Sequence, residues 1–171
     1  MYRLHGKLYE KTLFEDIEFP KGKVYEDTAI MYQLFEKAKK LGFGNKKCYY
    51  YVARGDSISK SRGFTKKEED YINNTNQMLE YIKNKYPELE KAVKRFYVYA
   101  NFRILRMLIY TKPKNKKMEK KVSGEIKKYK KEVFKDKKTP RRDKIAIITL
   151  NLGLPVFKII WNLYCIITGR I

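Results

Sequence analysis

Phe19-Pro20-Lys21-Gly22-Lys23-Val24-Tyr25-Glu26-Asp27-Thr28 places two adjacent carboxylates in a strongly basic chain. Pro20 and Gly22 mark a turn. Beyond it, Ile30, Leu34, Phe35, Ala38 and Leu41 recur at helical spacing. Lys37, Lys39 and Lys40 suit the negative end of that helix, and Gly42 is a natural stop. The spacing therefore predicts a helix over 28–41, entered through a turn, with Glu26 and Asp27 at its mouth. Such a pair can act as a general base beside a cleft. It can equally serve as a helix cap.

Working outward, residues 6–16 fit a strand end followed by a short helix. Lys47 to Ala53 is aromatic and β-prone, which predicts a strand. Gly55 to Gly63 is polar and reads as a loop. Thr65 with Glu68 three residues on forms a capping box, which opens a helix to about Lys85. Pro87 allows a second start. Ala92, Val93, Phe96, Ala100, Ile104 and Leu108 then make a long apolar stripe, ended by Pro113. Residues 115–136 are lysine-rich with a thin apolar face of Met118, Val122, Ile126, Tyr129 and Val133. Thr139-Pro140 reads as an N-cap and first helical position.

The chain has 171 residues, 43% apolar and 15% aromatic, which excludes a disordered protein. It carries 40 Lys and Arg against 19 Asp and Glu, net +21. Half of that excess lies in 113–144, with 15 basic and 5 acidic residues, directly before the most apolar segment. A basic field attracts phosphates of any kind. A basic block beside an apolar segment favours an anionic membrane surface. The chain has no aromatic RNA-binding pattern and no zinc spacing, so nucleic acid is not the expected partner. Cys48 and Cys165 lie far apart and fit reduced cytosolic thiols. The single histidine, His5, excludes a multi-histidine metal site.

The stretch Gly6-Lys7-Leu8-Tyr9, the Phe19-Pro20-Lys21-Gly22 turn, the Glu26-Asp27 pair and the run Cys48-Tyr49-Tyr50-Tyr51-Val52-Ala53-Arg54-Gly55-Asp56-Ser57-Ile58 follow one another at a fixed order and spacing. Over residues 4–60 this resembles the C-terminal part of the catalytic domain of a family 2 glycosyltransferase of the bacterial cell-surface polysaccharide type. The resemblance implies a fragment of the three-layer α/β fold called GT-A. Its nucleotide-binding half, with Asp-x-Asp metal ligands, is expected to lie before residue 1. It implies transfer of a sugar from a nucleotide-sugar donor to a glycan or lipid-linked acceptor. A divalent metal (Mg or Mn) is implied for the intact relative, with ligands outside this chain, and a separate chain supplying the donor site is another reading.

By the same resemblance Asp27 is the catalytic base and Glu26 its neighbour. Adjacent carboxylates repel each other, which makes one the better proton acceptor. Lys7 and Tyr9 would border the acceptor pocket, although His5 stands where relatives often carry tryptophan. Arg54 would place a cation near the leaving diphosphate or the acceptor. Ser57 would hydrogen-bond phosphate or sugar. Arg54 and Ser57 each have a plainer reading: a solvated strand-end arginine and a turn serine.

The expected fold is mainly α with a small α/β portion. Residues 1–62 read as the GT-A-like part, 63–112 as a helical extension, and 113–171 as a basic helix with an apolar tail. The run 145–171 is long enough to cross a bilayer, but Gly153 and Pro155 interrupt it. Two interfacial pieces, a core helix pair and a membrane span all remain open. The expected location is cytoplasmic, peripheral on the inner face of the cell membrane. The rival to sugar transfer is a non-enzymatic cationic helical module on anionic membrane or nucleic acid.

Overall fold

Thr65 opens the main body of the protein. In the computed structural model, which describes residues 4–50, 52, 64–111 and 114–169, its side chain accepts from the Lys67 amide at 3.3 Å and its amide donates to Glu68 Oε2 at 2.7 Å. The capping box expected there is present. It starts α2, Lys66–Lys85. Before it stands α1, Glu26–Lys37; after it come α3, Glu90–Tyr110, α4, Lys116–Lys135, α5, Arg141–Asn151, and α6, Leu154–Ile167. Short 3-10 turns lie at Lys11–Phe14 and Pro87–Leu89.

The protein is mainly helical, and no strand forms among the described residues. The strand expected over 47–53 is absent at 47–50 and at 52, while Tyr51 and Ala53 lie outside the described residues. A strand must pair its amides and carbonyls with a neighbour. No partner strand exists among the described residues, so β-prone side chains alone do not make one. Residues 7–10 likewise form no strand, and the expected small α/β portion is not seen.

The long helix α3 lies at the centre. It packs against α2, α4 and α6, while α1 packs on α2 and α5 on both α4 and α6. Because α3 has neighbours on several sides, its apolar surface is broad: Val98, Phe102, Ile104, Leu105 and Leu108 are all buried. Each such side chain contributes about 1.5–3 kcal/mol on leaving water. By contrast, α4 needs only its thin stripe. Val122, Ile126 and Val133 are buried in that helix and its lysines face outward. The main apolar cluster runs from α2 to α6 and so crosses residue 112. A smaller cluster joins Ile17, Ile30, Met31 and Leu34 near the N-terminus.

Three boundaries differ from expectation. Helix α1 begins at Glu26 and ends at Lys37, because Ala38 is already extended. Helix α5 begins at Arg141 with Pro140 as its N-cap; Thr139 instead donates to the Val133 carbonyl at 2.6 Å, closing the end of α4. The break expected in the run 145–171 does fall at Gly153, whose φ of 120° suits glycine alone. No helix among the described residues is long and apolar enough to cross a membrane.

Candidate functional site

The chain reaches the carboxylate pair through a turn closed by Lys23 N donating to the Pro20 carbonyl at 3.2 Å, with Gly22 at φ 70°. Val24 N then donates to Asp70 Oδ2 at 3.2 Å. Tyr25 follows with φ 61° and ψ 38°, in the left-handed region. Among the described residues it is the one non-glycine residue with positive φ. A bulky residue there costs about 1–2 kcal/mol, so its surroundings must hold it.

They do so from four directions. The Tyr25 ring lies 4.9 Å from that of Tyr71, and the Arg103 guanidinium sits 5.1 Å from its centroid. Its hydroxyl accepts from Arg103 Nη2 at 3.1 Å and donates to Glu68 Oε1 at 3.4 Å. Its carbonyl accepts from Asn74 Nδ2 at 2.9 Å. Burial raises the Tyr25 pKa, which keeps the hydroxyl protonated and able to donate. Cation–π contact and hydrogen bonding together offset the backbone strain.

Glu26 and Asp27 are thereby fixed as the first two residues of α1. Glu26 is exposed and Asp27 half-buried. Asp27 Oδ1 accepts from the Thr28 amide at 2.7 Å, inside the first turn of a helix whose N-cap is Tyr25, so Asp27 is not the cap residue that its position after the turn suggested. Its Oδ2 has no hydrogen bond among the described residues. One carboxylate oxygen thus anchors Asp27 and the other can take a proton.

Tyr9 comes close to the same helix. Its hydroxyl donates to the Leu4 carbonyl at 3.1 Å and lies 3.5 Å from Met31 Sδ. Met31 is one turn from Asp27 on the same face of α1. Burial raises the Tyr9 pKa. Lys7 is exposed. The Tyr49 ring stacks on His5 at 5.3 Å, which brings the tyrosine-rich run beside the Lys7–Tyr9 segment. Arg54 and Ser57 lie outside the described residues.

At the far end of α1, Tyr32, Phe35, Met78, Tyr86 and Phe96 line a cavity of about 450 Å³. Glu36 lies at its edge, taking hydrogen bonds from Tyr81 and Tyr86 and an ion pair from Lys85. Those donors pull the Glu36 carboxyl down to about 2. No group of three His, Cys, Asp or Glu side chains that could hold a metal ion occurs among the described residues.

Sequence reasoning found the carboxylates but not Tyr25, Asp70, Asn74 and Arg103, which place them. Those contacts join positions far apart in the chain, and no local spacing signals them. Comparison with protein-family models, curated proteins and solved structures finds no match to this chain.

Proposed function

We infer that residues 4–60 are the acceptor side of a family 2 glycosyltransferase site, of GT-A descent, in which Asp27 is the general base. The observation that carries this reading is the clamped, left-handed Tyr25. Strain of this kind is retained where the surroundings over-determine it, and it gathers at functional sites. Here it sets two carboxylates at a helix mouth, with the Tyr9 segment one turn away.

In the reaction, an acceptor hydroxyl attacks the anomeric carbon of a nucleotide sugar and the nucleoside diphosphate leaves with the bonding electrons. Asp27 Oδ2 takes the hydroxyl proton as the new bond forms. Glu26, exposed beside it, would orient the acceptor by hydrogen bonding. Lys7, Tyr9, Arg54 and Ser57 are proposed contacts to acceptor or diphosphate. No group of side chains among the described residues fits the divalent ion that the resemblance implies.

The test joins residues 1–171 to the donor-binding half of a family 2 glycosyltransferase and follows sugar transfer to a lipid-linked acceptor. Nucleoside diphosphate titration confirms that the joined protein binds donor. Asp27→Asn should lower transfer by about 10²–10⁴-fold, the usual worth of a general base. Undiminished transfer by that variant, or no transfer by a joined protein that binds donor, would defeat the reading.

A further inference from the structure

We propose that the α5–α6 hairpin is a docking face for an anionic lipid bilayer, inserted by its outward isoleucines and leucines and held by the cations at the start of α5. The proposal is independent of sugar transfer.

Helix α6 departs from an ordinary surface helix on its outer face. Its one cation, Lys158, turns inward and donates to both oxygens of buried Glu119 on α4, at 2.8 and 2.9 Å. Asn162 is engaged by Tyr110 of α3 at 2.8 Å. Phe157 and Cys165 face the core, but a second set of apolar residues faces out: Ile159 is 61% exposed, Leu163 52% and Ile166 62%, with Ile160 and Ile167 beside them. A solvated helix shows polar groups to water and apolar ones to the core. An outward apolar row of this length marks a surface that meets another phase or partner.

Helix α5, packed on α6, carries an exposed row of its own. Arg141, Ile145, Ile148 and Leu152 follow at helical spacing and are all exposed. Lys137 and Lys138 are exposed just before them. From residue 137 to residue 169 the chain has one carboxylate, Asp143, which is buried and paired with Arg142 at 2.8 Å. The hairpin therefore offers apolar side chains and positive charge, with no exposed negative group among its described residues. That is the composition an interfacial helix needs on an anionic leaflet.

Charge also separates lipid from the other occupants. A second copy would bring another chain of net +21 against this one, and like charges oppose that approach. Nucleic acid would satisfy the cations but has no apolar phase for the isoleucines.

The experiment mixes the full chain with vesicles of phosphatidylcholine and, separately, of phosphatidylcholine and phosphatidylglycerol in equal parts. Trp161, the single tryptophan, lies on α6 against Tyr164 and reports the position of the helix. Its emission should shift to the blue, and brominated acyl chains should quench it, with the anionic vesicles. Ile159→Asp with Leu163→Asp should weaken binding at least about tenfold, with helical circular dichroism retained because both side chains are exposed. Replacing Lys137, Lys138 and Arg141 by glutamine should weaken it about fivefold per charge.

Three results would overturn the proposal. Binding by the aspartate variant as tight as that of wild type would show that the isoleucine and leucine row does not insert. Binding without acyl-chain quenching would mean headgroup contact by a generic polycation. Self-association through this face in sedimentation, without vesicle binding, would assign it to a second copy.

Discussion

Glu36 shows how a single side chain records its surroundings. Its carboxyl is held at about 2, below the ordinary 4.5, by hydrogen bonds from Lys85, Tyr81 and Tyr86. A lowered folded pKa contributes stability above the unfolded value and loses it as pH falls through the folded value. This part of the stability is thus complete above about pH 4.5 and is lost towards pH 2. Glu36→Gln should flatten the fall of Tm between those limits, measured by thermal unfolding beside wild type. Parallel profiles would mean that the three donors do not favour the charged form. Asp27 was legible at this scale because two carboxylates after a Pro/Gly turn stand out locally. Tyr25 was not, since only its partners on α2 and α3 give it a left-handed backbone.

At the scale of elements, helices with both a start signal and a sustained apolar period were legible. Thr65–Glu68 opened α2 as expected, and the stripe of α4 matched its buried face. Thr65→Ala should cost about 1 kcal/mol, with a range of about 0.5–2, read as a lower urea midpoint. Thr65→Ser should restore most of it, and an alanine variant with an unchanged midpoint would show that the cap adds nothing. The strand was misread because a strand is a property of a pair. Tyr49 and Tyr50 carry β-prone side chains but have no ladder to join and stay exposed. The start of α5 slipped by one residue because Thr139 is used to close α4 rather than to open α5.

For the whole molecule, composition was a fair guide to charge and a poor one to arrangement. Lys158 is a lone cation inside α6, and it ties that helix to α4 through Glu119. No local pattern pairs residues 39 positions apart. A net charge of +21 repels itself in the folded state. Raising ionic strength from about 0.01 M to about 0.15 M shortens the screening length from about 30 Å to about 8 Å. Tm should therefore rise with salt over that range, and a fall would mean that attractive ion pairs outweigh the repulsion. The clamp on Tyr25 has a consequence in time. Its partners follow it by 43 positions at Glu68 and 78 at Arg103. At a synthesis rate of about 5–20 residues per second, roughly 4–16 s pass between Tyr25 and Arg103. A nascent chain thus carries its acidic pair in an unfinished setting for seconds, and the pair takes its final position only when the third helix arrives.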